Sequence, residues 1–188
     1  MEIPKIIFKW AWTLDKRLAR DPKWEEPSRE HMMGLEKRIR EEWEPVGEDI
    51  LREMSKITKL AWHEKDITCY ISYGITPFSH PLVISGNSTI HDVTHELIHR
   101  ILSYPKNKVK KFENQNRLWE RYKEETDSCK IHIIVHAIHS AIYLKVFSQD
   151  ELDANVKRSQ PYSDYKKSWD IVKRDGYENI IAELTKGS

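Results

Sequence analysis

Apolar positions recur at helical spacing through the first third of the chain, between short polar breaks. This spacing predicts a first helix over residues 5–20. Ser28 is a typical helix-capping residue and predicts the start of a second helix. A third helix is expected after the break at Pro45, so residues 1–59 are predicted to form a set of N-terminal helices.

The following segments have the pattern of β-strands. Residues 67–73 are β-branched and aromatic, which predicts a strand, and residues 81–85 form a second predicted strand. Because proline has no backbone N–H to donate, Pro81 favours an edge position for this second strand. An edge strand above a cleft would align an extended peptide by backbone hydrogen bonds.

Helical spacing returns after the second predicted strand. Thr89 and Asp92 have the three-residue spacing of a capping box, and they predict a helix over residues 89–103. Pro105 is expected to end this helix. Four lysines within residues 106–111 predict a solvated loop after it.

The rest of the chain is also predicted to be helical. A long helical pattern, broken at most once, covers residues 112–147. The tail over residues 149–185 predicts two or three more helices, with breaks at Pro161 and Gly176. The sequence has neither an internal repeat nor a linker that would separate domains, so a single domain over residues 1–188 is expected.

Composition and charge narrow the classes of function. Lys and Arg number 31 and Asp and Glu number 30, so the net charge of +1 does not suit a general nucleic-acid binder. Cys69 and Cys129 lie far apart without a C-x-x-C pair, which is typical of a reduced, cytoplasmic protein. No apolar run approaches the roughly 20 residues of a membrane span.

His95, Glu96 and His99 form the motif H-E-x-x-H within the predicted helix. Residues i and i+4 of a helix share one face, so both imidazoles can bind one tetrahedral ion. Glu96 lies beside them but is turned away from the ion, where it can accept a proton from a metal-bound water as the general base. The motif therefore predicts a zinc-dependent metallopeptidase that hydrolyses peptide bonds.

Two strands, a helix with this motif and a second helix with acidic residues together resemble the zincin metallopeptidases. Among these the chain is similar to the gluzincins, and in size to the compact archaeal minigluzincins, over roughly residues 60–145. The resemblance implies an α+β, mostly helical fold with a zincin-like core over about 60–147, flanked by N-terminal helices and a C-terminal helical tail over 148–188. It also implies one Zn²⁺ per chain, a peptide or protein substrate, and a third ligand from a glutamate on the downstream helix.

Several residues of the second long helix are candidates for the third metal ligand. A helical wheel at 100° per residue groups three histidines with Glu125 within about 40° and turns Glu124 about 100° away. Those histidines are His132, His136 and His139. Glu125 is therefore the first candidate, while His132 could be the third ligand, a partner of a ligand or a catalytic donor to the oxyanion. Glu124 remains a further alternative.

Two other functions fit parts of the sequence. The doublet His91-Asp92 resembles HD-type metal phosphohydrolases, with His63 or His80 and Asp127 as possible further ligands. The chain could alternatively be a non-catalytic or self-inhibited metal-binding module that keeps a zincin-like fold. In a self-inhibited form, the helical tail over residues 149–185 would cover the cleft.

Overall fold

The computed structural model describes residues 2–187 and is an α+β protein with mostly helical secondary structure, as the sequence predicts. The chain divides into two compact units, the sheet unit (Glu2–Glu48 and Trp62–Arg100) and the helical unit (Asp49–Ala61 and residues 101–187). The strands are β1 (Lys5–Trp10), β2 (Asp66–Ser72) and β3 (Leu82–Ser85). The helices are α1 (Trp12–Leu18), α2 (Arg29–Trp43), α3 (Gly47–Thr58), α4 (Ile90–Ser103), α5 (Pro105–Arg121), α6 (Asp127–Val146), α7 (Gln149–Ser159), α8 (Ser163–Asp175) and α9 (Tyr177–Leu184). No helix within residues 2–187 has both the length and the apolar character needed to cross a bilayer.

The sheet unit contains three parallel strands in the order β1-β2-β3. Both strands that the sequence predicts are present, and β3 lies at an edge, as Pro81 indicates. Helix α4 follows β3 directly along the chain and matches the predicted helix over residues 89–103. The predicted strand–strand–helix order around the H-E-x-x-H motif is therefore confirmed.

Strand β1 corrects the prediction of a helix over residues 5–20. Its centre, Ile6-Ile7-Phe8, combines β-branched and aromatic side chains, which fit a pleated strand better than a helix. Phe8 is buried and packs edge-on against Trp43 of α2, with ring centroids 6.1 Å apart. Strand pairing thus determines the structure of this segment, and the helix is limited to the short α1.

A buried carboxylate ties α1 to β1 and β2. Asp15 accepts hydrogen bonds from the indole N–H of Trp10 (2.7 Å), the hydroxyl of Ser72 (2.6 Å) and the backbone N–H of Tyr73 (3.1 Å). Only 3% of Asp15 is exposed. Three donors compensate for the desolvation of the carboxylate, so this side chain fixes α1 against the ends of two strands.

The outer edge of β3 is closed by local hydrogen bonds. Val83 exchanges both of its backbone hydrogen bonds with Phe78, and Ser85 exchanges a pair with Ser88. Leu82, Val83 and Ile84 are almost completely buried. The expectation that residues 81–85 align an extended peptide is therefore wrong, because the backbone groups that face outward already have partners.

Helix α6 forms the centre of the helical unit, and its buried residues lie on all sides of the helix. Helices α8 and α9 pack against α6 and contribute large apolar side chains to the core. These side chains include Trp169, Ile171, Val172, Ile180 and Leu184. The predicted breaks at Pro161 and Gly176 are confirmed, and the tail contains three helices. The tail is thus an integral part of the core of this unit.

Helix α5 corrects the prediction of a lysine-rich loop over residues 106–111. Pro105 is at the first position of this helix, where its fixed φ angle is already helical and its missing N–H would have no partner within the helix. Pro105 therefore begins α5 directly after the end of α4. Lysine is also a good helix former. The side chain of Lys111 is completely buried rather than solvated.

Candidate metal centre

Helix α4 begins with the capping box that the sequence predicts. The backbone N–H of Thr89 donates to Asp92 Oδ2 (2.8 Å), and the N–H of His91 donates to Thr89 Oγ1 (3.3 Å). Asp92 therefore caps the helix, which satisfies donors that the first turn would otherwise leave without partners.

The two histidines of the motif meet on one face of α4. The Nε2 atoms of His95 and His99 lie 3.1 Å apart, and their ring centroids are 4.8 Å apart. The helical spacing of four residues produces this proximity, as expected from the sequence. Two imidazole nitrogens are thus ready to share one ion.

Glu96 follows His95 directly and is almost completely buried, with 7% of the residue exposed. Burial, and to a smaller extent the nearby charge of Asp92, raises the pKa of its carboxyl group to about 7. A carboxyl group with a pKa near neutrality can take up and release a proton at physiological pH.

The last turn of α4 is anchored by an ion pair that no sequence pattern indicates. Arg100 donates to both carboxylate oxygens of Glu64 (2.8 and 2.6 Å) and to the carbonyl of Ser79 (2.5 Å). The guanidinium group lowers the pKa of Glu64 by hydrogen bonding and by its charge. The guanidinium group of Arg100 thus connects α4 to the segment before β2 and to the loop before β3. Neither residue belongs to a motif, so only the fold reveals their pairing.

His132 lies on the second turn of α6, and its orientation is fixed by the backbone. Its Nδ1 lies 2.7 Å from the carbonyl oxygen of Ser128. A carbonyl oxygen only accepts, so Nδ1 carries the proton and Nε2 keeps the lone pair that a metal ion needs. Burial lowers the pKa of His132, which favours this neutral form, although the bond to Ser128 opposes the shift.

Three of the candidate side chains come together. The ligand nitrogens of His95, His99 and His132 all lie within 4.8 Å of one another. Imidazole nitrogens suit Zn²⁺, and three protein ligands leave a fourth position for water or substrate. Three histidines are thus close enough to bind one metal ion.

Glu124 and Glu125 do not lie on the second long helix. Helix α5 ends at Arg121 and α6 begins at Asp127, with Thr126 as its capping residue. The helical-wheel comparison that grouped Glu125 with the histidines therefore does not apply. The carboxylate of Glu125 lies 3.5 Å from the Lys167 ammonium group and is not part of the three-histidine group found among residues 2–187.

The other histidines of α6 contact aromatic side chains. The ring of His136 is stacked on Trp169, with centroids 4.0 Å apart and planes inclined by 6°, and its Nδ1 lies 2.8 Å from Ser168 Oγ. His139 packs edge-on against Tyr143 at 4.6 Å. These contacts assign both histidines a packing role in the helical unit.

No significant match was found among models of known protein families, curated proteins or solved structures.

Proposed function

We propose that this chain is a metal-dependent hydrolase that binds one Zn²⁺ through His95, His99 and His132 and uses Glu96 as general base on a peptide bond. The observation that carries the proposal is the convergence of three imidazole nitrogens within 4.8 Å beside a buried glutamate. The motif resemblance to the gluzincins, and with it the expectation of a zincin-like core, supports amide bonds as the substrate class.

The donor set fits zinc. Two Zn–N bonds of about 2.0–2.1 Å at a tetrahedral angle place the nitrogens about 3.3 Å apart, close to the 3.1 Å between His95 and His99. The Ser128 carbonyl fixes the tautomer of His132 that has its lone pair on Nε2. A divalent ion held there would supply Lewis-acid activation of water and polarisation of a carbonyl group.

Glu96 has the properties of a proton carrier for this chemistry. It is adjacent to His95 on α4, and its burial favours the neutral carboxyl group enough to balance the two protonation states near neutral pH. The carboxylate would take a proton from water at Oε and deliver it to the leaving amine. The cap at Thr89 and the Arg100–Glu64 ion pair hold both ends of the helix that positions it.

The closed edge of β3 limits how a substrate binds. Because the backbone groups of Val83 and Ser85 already have hydrogen-bond partners, a substrate peptide would not bind as an additional strand of this sheet. Side chains around α4 would have to orient the scissile bond instead. The same observation favours a second candidate, a non-catalytic metal-binding module, which would bind zinc with the same three histidines and hydrolyse nothing.

Hydrolysis of a mixed peptide library, followed by mass spectrometry, tests the proposal. We expect zinc-loaded wild type to cleave peptides, a chelator to stop the reaction and added Zn²⁺ to restore it. Glu96→Gln should keep bound zinc and lose about 100-fold or more of the rate, while the exposed control Glu113→Gln should behave as wild type. Turnover in Glu96→Gln at the wild-type rate would contradict the general-base role. Bound zinc without any turnover in wild type would favour the non-catalytic module.

A further inference from the structure

Aromatic rings from α8 interleave with the histidines of α6. The ring of Tyr165 lies 4.2 Å from that of His132 and 5.4 Å from that of His136. One turn further along, Trp169 stacks on His136 at 4.0 Å and lies 6.3 Å from His139. The two helices therefore form a ladder of alternating imidazole and aromatic rings, with His132 at one end.

His132 is restrained at two separate points in this ladder. The Ser128 carbonyl holds its Nδ1–H at 2.7 Å, which fixes one edge of the ring. The ring of Tyr165, inclined by 35° to the imidazole, covers one of its faces. The hydrogen bond alone would allow the imidazole ring to rotate about the N–H···O axis. The tyrosine ring on one face of the imidazole restricts this rotation.

Tyr165 is itself held by neighbouring groups. The hydroxyl of Ser168 donates to the carbonyl of Tyr165 (2.9 Å) and accepts from Nδ1–H of His136 (2.8 Å). Stacking of His136 on Trp169 then fixes the same turn of α8 against α6. The turn of α8 that carries Tyr165 is thus fixed against α6.

We propose that Tyr165 is a positioning residue whose ring holds the His132 imidazole in the plane required for metal binding. The inference rests on the proposed function, because it takes His132 as a metal ligand. The aromatic face carries the effect, and the hydroxyl is not needed. Restricting the imidazole before binding removes an entropic cost from metal association.

The experiment compares Tyr165→Phe, which keeps the ring, with Tyr165→Met, which keeps apolar volume without a flat face. Zinc affinity is measured by competition with a chelating dye, and folding by thermal denaturation. We expect Tyr165→Phe to bind zinc like wild type and Tyr165→Met to bind 10- to 100-fold more weakly. Phe112→Met, which removes an exposed aromatic ring from α5, is the control and should leave affinity unchanged. Tyr165→Leu is the second test where methionine impairs folding.

A metal-free measurement separates this inference from the proposed function. The Nδ1–H signal of His132 in ¹⁵N-labelled apoprotein should be protected from exchange in wild type and Tyr165→Phe, and exposed in Tyr165→Met. If wild type binds no zinc, the proposed function fails, while the exchange result still decides whether Tyr165 positions His132. Wild-type affinity and protection in folded Tyr165→Met would overturn the inference, as would a loss in Tyr165→Phe equal to that in Tyr165→Met.

Discussion

The Nε2 atoms of His95 and His99 lie 3.1 Å apart on successive turns of α4. A tetrahedral zinc ion would hold two such nitrogens about 3.3 Å apart, so little rearrangement is needed to bind it. The Arg100–Glu64 ion pair fixes the last turn of the same helix. Backbone geometry and helix anchoring therefore prepare two of the three proposed ligands.

The identity of the third ligand is tested by removing His132 or Glu125. We expect wild type to retain about one zinc per chain and His132→Ala to bind zinc about 100-fold or more weakly, because an imidazole ligand is lost. Glu125→Ala should retain zinc, since that carboxylate pairs with Lys167. Elemental analysis after gel filtration measures the metal content. The opposite result would assign the third ligand to Glu125, as the gluzincin resemblance implies.

Substitution of Asp92 distinguishes a helix-capping role from a metal-ligand role of the HD phosphohydrolase type. Because its carboxylate accepts the N–H of Thr89, Asp92→Ala should lower the free energy of unfolding by about 1 kcal/mol and leave zinc bound. Asp92→Asn keeps an accepting oxygen and should lose less stability. Urea denaturation and metal analysis together provide the measurement. Loss of metal from folded Asp92→Ala would instead support the HD-type interpretation.

The elements around the site were predictable from the sequence because interactions between residues close together in the chain determine them. The β-branched run at 67–73, the capping box at Thr89 and the spacing of His95 and His99 each depend on neighbouring residues. The sequence predictions were wrong where contacts with residues far away in the sequence determine the structure. Strand β1 exists because it pairs with β2, and Lys111 is buried in the folded chain. No sequence pattern could reveal such contacts.

Asp15 should contribute strongly to stability. Asp15→Asn places an amide N–H₂ group among the donors of Trp10, Ser72 and Tyr73, and leaves at least one of these donors without an acceptor. We expect a loss of about 3 kcal/mol in the free energy of unfolding. Urea denaturation followed by tryptophan fluorescence measures it, and exposed Glu25→Gln is the control. Equal stability of the two variants would show that the buried carboxylate is dispensable.

Lys111 should make stability depend on pH. Burial, and to a smaller extent the charges of Lys110 and Lys59, lower its pKa to about 8 in the folded protein, against 10.5 ordinarily. Between these values the unfolded chain binds more protons, so stability rises with pH across this window. From pH 7 to pH 9, wild type should gain up to about 1 kcal/mol relative to Lys111→Met.

The comparison with Lys111→Met removes other titrations from the measurement. Burial raises the pKa values of Cys69 and Cys129, which opposes the gain in wild type above pH 9 but acts equally in the variant. Exposed Lys108→Met should follow wild type at both pH values. A constant difference between wild type and Lys111→Met from pH 7 to pH 9 would show that Lys111 does not titrate in this range.

Removal of the tail before Gln149 should unfold the helical unit rather than activate the protein. Trp169, Val172 and Leu184 are buried in its core, and Trp169 covers His136 of α6. Each of these buried side chains contributes about 1.5–3 kcal/mol by its burial, so their combined loss is comparable with the whole free energy of unfolding of a typical domain, about 5–15 kcal/mol. Loss of a cooperative thermal transition by circular dichroism is the expected result.

A control with a protease site inserted at exposed Pro161 should stay folded after cleavage, because the helices remain associated. A truncated chain that folds and gains peptidase activity would instead identify the tail as a removable inhibitory segment.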